Sequence, residues 1–402
     1  MALASSSLVT VRSIKELSFG AIPVAGNPKV KRITGETLDY TISKESSKEI
    51  NSDRTIASVV PVTANTTGNL TGELSYTDWD DELESVLQST WAALGTDGEA
   101  SAVTVDCTAT TITASVAPTG VDAFTNLKPG QWFRVKSAGA NGGKILRVHA
   151  TTAPTTTVIT LDAATPAAVS TGESVQLQSS RLTHGTTQTS FTIERENSDI
   201  GVFMAYAGQT PSKLNVNVSS GALTQVTFDF MGKSAQESNT TLLPGTPVPT
   251  SAYDVHSGVS GATLAVWMDG APLTGTYIKS VSLDFDNTLR SQEAIGTLGA
   301  VAIAGGTIAC TATAQIYFAN KDMFTKFRQN INTSLIFSST DNDGNGYIFS
   351  LPVLNITSYK SNASAKDQDQ MLDITFTALA DRGNAVAALR KVLFIDRVGN
   401  PV

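Results

Sequence analysis

Apolar and polar residues alternate one for one over several short stretches of the chain: Leu214-Asn215-Val216-Asn217-Val218, Val226-Thr227-Phe228-Asp229-Phe230, Val281-Ser282-Leu283-Asp284-Phe285 and Leu372-Asp373-Ile374-Thr375-Phe376. Successive side chains of a strand point to opposite faces, so this period of two predicts strands with one apolar and one polar face. Two stretches repeat at helical spacing instead. Asp78 to Leu94 opens on Asp78, Asp80 and Asp81 and carries Leu83, Val86, Leu87 and Trp91 on one stripe; Asn320 to Gln329 sets Met323, Phe324 and Phe327 on one face. Each predicted helix directly follows a strand.

The order of elements from residue 38 to 236 recurs from residue 283 to 380, which predicts a duplicated core. Leu38-Asp39-Tyr40 matches Leu283-Asp284-Phe285, and Gly72-Glu73-Leu74-Ser75-Tyr76 matches Thr313 to Phe318, each running into its helix. Thr189-Ser190-Phe191 then matches Thr333-Ser334-Leu335, Lys213-Leu214-Asn215 matches Leu354-Asn355-Ile356, and Val226 to Phe230 matches Met371 to Phe376. Between helix and next strand the second copy has only Asn330 to Asn332, whereas the first has roughly residues 97 to 187. Strand candidates Gln131 to Val135, Lys144 to Val148, Thr156 to Leu161 and Ser174 to Leu177, separated by Pro-Gly, Asn-Gly-Gly and Thr-Pro turns, mark that segment as a small β-sandwich or barrel of its own. The expected organisation is a mainly β protein: a discontinuous first domain (1–96 and 188–236), an inserted β domain (97–187), a linker with connecting strands (237–282) and a second domain (283–402) ending in a C-terminal arm. Leu243-Pro244-Gly245-Thr246-Pro247-Val248-Pro249 reads as the stiff part of the linker.

Composition narrows the function. Charged residues make up 16% of the 402 residues, below the roughly 25% usual for soluble domains, and 28 Lys plus Arg against 36 Asp plus Glu give a net charge of −8. Such a balance excludes a protein that grips nucleic acid by its phosphates. Residues 97 to 181 hold six acids and six bases, so the acidic excess lies in the duplicated core. No window approaches the roughly 20 apolar residues of a membrane span, and Met1 to Thr10 is too short and polar for a signal peptide, so the protein is expected to work where it is made, without a membrane partner.

No catalytic constellation or cofactor motif is found, and neither an enzyme activity nor a cofactor is expected. Cys107 and Cys310 lie in different predicted domains, which excludes a disulfide framework and makes both buried small hydrophobes. His149, His184 and His256 sit in turn-like sequence and are read as surface residues. Asp341-Asn342-Asp343-Gly344-Asn345 fits the start of a calcium loop, with Asp341, Asp343 and Asn345 as weak metal candidates. Position 12 is Pro352 and the flanks are strands, so a hairpin turn is the preferred reading. Ser52 to Gly68 is either a surface loop or an extended hairpin reaching another subunit; residues 1–10 and 392–402 are frayed ends or arms that order on assembly.

The motifs Ser52-Asp53-Arg54-Thr55, Gly72-Glu73-Leu74-Ser75-Tyr76, Ser190-Phe191-Thr192-Ile193-Glu194, Phe230-Met231-Gly232-Lys233-Ser234 and Asp341-Asn342-Asp343-Gly344, in this order, resemble major tail tube proteins of long, non-contractile-tailed (siphovirus-type) bacteriophages. The resemblance implies two tandem tail-tube β-sandwich domains, each with one helix, plus an inserted immunoglobulin-like β domain decorating the outside. It implies a virion structural protein, made in the bacterial host cytoplasm, that stacks in rings with other tail proteins around a channel for genome ejection. Usual members carry one tube domain and form hexameric rings; two copies here imply trimeric rings with pseudo-sixfold symmetry, hexameric rings being the alternative. Acidic side chains facing duplex DNA would repel its phosphates and let it pass without being held. Strand alternation nominates Asp229, Asp284, Asp286 and Asp373 for the lumen, and the Ser52 to Gly68 segment, with Ser52, Asp53, Arg54 and Thr55, is expected to make the contact between rings. A secreted or surface β-sandwich adhesin or carbohydrate-binding protein is the alternative; it predicts a signal peptide or clustered exposed aromatics, whereas Trp79, Trp91, Trp132 and Trp267 are dispersed.

Overall fold

The computed structural model describes residues 4–259, 266–362, 366–384 and 386–399. Three ends of the expected organisation lie outside them: Met1 to Leu3 of the N-terminal arm, residues 260–265 of the linker and residues 400–402 of the tail. The fold is mainly β and almost wholly antiparallel, with two short α-helices.

Eight strands build the central sheet. In the first half these are β1 (Asp39–Ser46), β2 (Val59–Glu73), β3 (Val202–Ser219) and β4 (Gln225–Gly232); in the second, β5 (Ile278–Asp286), β6 (Ala309–Tyr317), β7 (Gly346–Asn362) and β8 (Met371–Ala378). The first four pair in the order β1-β2-β4-β3 and the second four in the order β5-β6-β8-β7. Strands β3 and β5 pair with each other, from Lys213 opposite Asp286 to Ser219 opposite Ser280, and fuse the two units into one sheet.

Two pairs of β-bulges fall at matching places. One interrupts β3 between Pro211 and Lys213 and its counterpart interrupts β7 between Ile356 and Ser358. Another lies between Ile33 and Gly35, in the short strand Ile33–Glu36 that leads into β1, and is matched in β5 between Ile278 and Ser280. A bulge shifts the pairing by one residue, so bulges at matching sites fix equivalent positions. They equate Leu38-Asp39-Tyr40 with Leu283-Asp284-Phe285, and Ser212 with Thr357. Lys213-Leu214-Asn215 is therefore equivalent to Ser358-Tyr359-Lys360, not to Leu354-Asn355-Ile356 as the sequence pattern suggested. The unpaired bulge residues break the alternation that the eye follows.

Helices α1 (Asp80–Val86) and α2 (Asp322–Gln329) cover the apolar side of their units. Both are shorter than expected, α1 markedly so. It stops before Gln88, whose φ of 52° is left-handed, and the Trp91 N–H donates to the Glu84 side chain (2.9 Å) instead of continuing the helix. Leu83, Val86 and Leu87 join Trp79, Phe228, Leu214, Leu283 and Phe285 in a core that runs without a break through both units. Trp79 stacks on Phe228 at 5.4 Å.

Residues 94 to 177 contribute a second core around a separate six-stranded sheet whose last strand is Ser170–Gln178. The next strand, Ser180–Thr183, lies within the expected insertion of 97–187 but pairs with Phe394–Val398 in the main sheet. The C-terminal segment is likewise a paired strand as far as Val398 rather than an arm, flanked by Ser180–Thr183 and β7. At the other end Val9–Lys15 pairs with Phe191–Asn197. The stiff linker is strapped to the first unit: the Val30 N–H donates to the Val248 carbonyl (2.9 Å) and Arg32 Nη2 to the Ser251 carbonyl (2.8 Å).

Candidate functional site

The central sheet has one apolar face, sealed by the helices and core, and one polar face. Phe228, Leu214, Phe285, Leu283, Ala312 and Ile374 point into the core, and the period of two sends their neighbours to the opposite side. Asp229, Asp284, Asp286 and Asp373 all occur on that second face, exposed or half-buried. Cross-strand pairing sets them in rows: Asp229 lies opposite Lys213, which lies opposite Asp286; Thr227 lies opposite Asn215, which lies opposite Asp284. Glu73 adds a further carboxylate, while the nearby cations of the face are Lys213 and Lys360.

Several contacts hold these carboxylates. Lys213 Nζ stands 3.1 Å from Asp286, and the hydrogen bond and charge of that partner raise the lysine pKa. Asn215 Nδ2 donates to Asp284 (2.7 Å) and to Ser282 Oγ (3.0 Å), and Gln315 Nε2 donates to Asp373 (3.1 Å). Partial burial raises the pKa of Asp229, against the pull of Lys213 and with the help of Asp286 and Asp284. The result is a broad, flat, net-acidic surface of Thr, Ser, Asn, Gln and Asp. Its physical property is repulsion of anions, spread over a sheet rather than focused in a cleft.

The hairpin of β1 and β2 projects from this sheet, where a loop or a hairpin was left open by the sequence. Its connection carries Ser52, Asp53, Arg54 and Thr55, all exposed. Arg54 turns the chain at φ 63°, and Asp53 accepts the Thr55 N–H (3.2 Å), a bond to the Thr55 side chain and backbone that lowers its pKa.

Asp341 organises the turn between Thr333–Thr340 and β7. Its carboxylate accepts from the N–H groups of Asp343 (3.0 Å) and Asn345 (2.8 Å) and from Asn345 Nδ2 (3.0 Å). The turn thus uses the acceptor capacity a cation would need, and no cluster of three His, Cys, Asp or Glu that could hold a metal ion is found among the described residues. Both cysteines are free and buried, in separate cores. The surface reading of the histidines fails at His256, which is fully buried beside the Tyr347 ring (5.8 Å between centroids), both ring nitrogens without a partner; burial lowers its pKa to about 3. His184 is half-buried, and desolvation lowers it to about 4.

Sequence reasoning missed the groups that tie the parts together. Arg181 and Asp396, almost fully buried, form a two-pronged ion pair (2.6 and 2.7 Å), and Asp396 also accepts the Trp132 N–H (3.1 Å). The dispersed Trp132 and Trp267 meet edge to face at 5.1 Å, with Ile336, Ile348 and Val398 around them. The six-stranded domain, which interrupts the first unit, is thereby docked on the second. Asp80 of α1 accepts the Tyr347 hydroxyl of β7 (2.6 Å) and pairs with Arg397. Each contact joins residues more than 130 positions apart, so no local pattern announces it.

A large antiparallel sheet with one sealed and one acidic face defines a mainly β protein that offers broad surfaces. A family model for the phage tail tube protein matches residues 6–378, nearly the whole chain, and the chain belongs to that family. It is accordingly a structural component of the virion that assembles with itself and other tail proteins into a tube. No individual curated protein matches it. No helix among the described residues is long and apolar enough to cross a membrane.

Proposed function

We propose that three copies of the chain close into a ring of six similar units, that rings stack into the tail tube, and that the acidic sheet face lines the channel through which double-stranded DNA is ejected. The carrying observation is the fused sheet: two four-stranded units of the same order and the same bulges stand edge to edge, with their carboxylates on one continuous face. Asp229, Asp284, Asp286 and Asp373 face the lumen in this reading. Three times −8 gives a formal −24 per ring, and the neutral insertion leaves that charge in the ring wall. Like charges in a narrow channel keep duplex phosphates at a hydrated distance, so DNA slides without being bound.

Ser52, Asp53, Arg54 and Thr55 touch the next ring from the hairpin tip, and the six-stranded domain decorates the outside. The two tube domains are the halves on either side of the 237–282 connection. Closure suits this architecture because a ring removes the exposed edges that invite uncontrolled pairing. A cryo-microscopy reconstruction of polymerised protein tests the reading. Three chains per ring and a net-negative lumen are expected; six chains per ring, or a lumen lined by another face, would overturn it.

A further inference from the structure

The joint between β3 and β5 is a template for a contact the single chain cannot make. Strand β3 is the last of its unit and β5 the first of the next, and they pair antiparallel. Their counterparts, β7 and β1, are the two outer edges. Among the described residues, 355–362 of β7 pair only with β8, and β1 pairs only with β2. An edge strand with unpaired N–H and C=O groups is a ready site for strand addition.

We infer that residues 358–360 of β7 in one copy pair antiparallel with residues 39–41 of β1 in the next, in the register of the internal joint. This rests on the ring reading above. The internal joint sets Lys213 opposite Asp286, Leu214 opposite Phe285 and Asn215 opposite Asp284. The matching bulges carry those pairs to Ser358 with Thr41, Tyr359 with Tyr40 and Lys360 with Asp39. The last places an amine opposite a carboxylate, where the internal joint has the 2.7 Å bond from Asn215 to Asp284. Lys360 is exposed, and no ion pair of it is found among the described residues.

A second observation points to the same occupant. At the internal joint, the connection from β5 to β6 folds back over the end of α1. Asn287 Nδ2 donates to the Val86 carbonyl (2.5 Å), and Thr63 Oγ1 donates to Glu293 (2.9 Å). Gly299 passes so close that a Cβ there would lie 2.8 Å from the Lys233 carbonyl oxygen. The counterpart of that connection is the β1–β2 hairpin, whose stem exposes Ile42, Val60 and Val62; the counterpart of α1 is α2, which exposes Phe324 and Phe327, with Ile331 exposed just past its end. The apolar stem of one copy reaches the apolar helix of its neighbour, as the β5–β6 connection reaches the end of α1.

Cysteine pairing tests the register, because directly opposite residues of antiparallel strands lie about 4.5–5.5 Å apart, within disulfide reach. A chain carrying both Asp39→Cys and Lys360→Cys, oxidised after assembly, is expected to shift from one-chain to multi-chain bands on a denaturing gel. Neither single variant shifts alone, and mixing the two gives linked pairs. If wild-type chains form tubes in negative stain but this pair stays unlinked, or Lys360→Cys links instead to Thr37→Cys or Thr41→Cys, the joint is wrong and the tube reading survives. Failure of wild-type chains to form tubes, with the pair still linking, removes the tube reading and keeps the joint. Should cysteines impair assembly, charge exchange decides: Asp39→Lys and Lys360→Asp each lose tube formation, and the double exchange restores it; no restoration overturns the pairing.

Discussion

Helix α1 holds Leu83, Val86 and Leu87 at 1% exposure or less, whereas α2, at the equivalent place in the second unit, leaves Phe324 at 45% and Phe327 at 38%. The two helices follow equivalent strands, so the difference comes from what lies over them. Ser13, Lys15, Lys29 and Lys31 of its own unit hold α1 and a connection from the second unit reaches its end at Val86, whereas among the described residues α2 is held through Lys326 by Asp269 and Thr333. The half-exposed Phe324 and Phe327 rings already rest on Tyr359, so completing their burial would recover only part of the roughly 1.5–3 kcal/mol that fully burying such a side chain is worth. One chain thus contains the same joint twice, once made and once open. Residues of the made joint should govern the stability of the single chain, and residues of the open joint should govern association.

The largest effect is expected at a contact within the chain that belongs to neither joint. Removing the guanidinium with Arg181→Ala strands the buried Asp396 carboxylate and should cost about 3–5 kcal/mol, the usual consequence of breaking a buried ion pair. Denaturant unfolding of the monomer measures it; a loss below about 1 kcal/mol would show that Asp396 is satisfied without Arg181. Next comes the direct contrast between the helices. Leu83→Ala should destabilise the chain by about 2–5 kcal/mol, while Phe327→Ala should leave the monomer within about 1 kcal/mol of wild type yet reduce tube formation. Equal losses of monomer stability would mean that the helices are not differently covered, and the comparison would fail.

Much of the central sheet was legible because alternation is a local signal. Leu38-Asp39-Tyr40 against Leu283-Asp284-Phe285, and Val226 to Phe230 against Leu372 to Phe376, match in the structural register as they do in sequence. The four lumen candidates fall on one face for the same reason: each sits one residue from a buried apolar neighbour. What was not legible depends on partners far along the chain. The bulge residues Ser212 and Thr357 shifted the match of Lys213-Leu214-Asn215 by four positions. The stripe at Leu83, Val86, Leu87 and Trp91 continues past Gln88, but the helix does not, because the chain must turn to bring Trp91 beside Tyr347 and Arg397. His256 looks like a turn residue and is buried between the backbone of Leu74 and Thr224 and the Tyr347 ring of β7. Asp39 and Lys360 become a candidate pair only after both free edges are known.

A smaller effect should distinguish the sealed interior by pH. Its depressed pKa means that folded His256 refuses the proton that the unfolded chain accepts below its ordinary value of 6.5. Stability should therefore be complete above pH 6.5 and fall by up to about 1.4 kcal/mol per unit as pH drops from 6.5 towards 3. His256→Phe should flatten that slope relative to wild type in unfolding curves at pH 7, 6, 5 and 4. An unchanged slope would assign the acid sensitivity to other groups, half-buried His184 first among them.

The smallest change in stability, and the sharpest change in surface, should come from the acidic face. Lys213 and Asp286 are 55% and 29% exposed, and such surface pairs are worth about 0–1 kcal/mol, so replacing Asp284 and Asp286 by Lys should barely alter unfolding. Both positions point away from the core, so strand alternation and the made joint between β3 and β5 persist. The charge change is large: two aspartates becoming two lysines shift each chain by four units, and a ring of three chains by twelve. If this face lines the channel, the wall becomes one that attracts phosphates, and DNA should leave more slowly, most visibly at low salt, where the attraction is least screened. Ejection from phage carrying the variant, timed alongside measurement of tube length, separates transport from assembly. Slow ejection through tubes of normal length supports a lumenal position for Asp284 and Asp286, whereas wild-type ejection rates at low salt would place these two aspartates outside the channel.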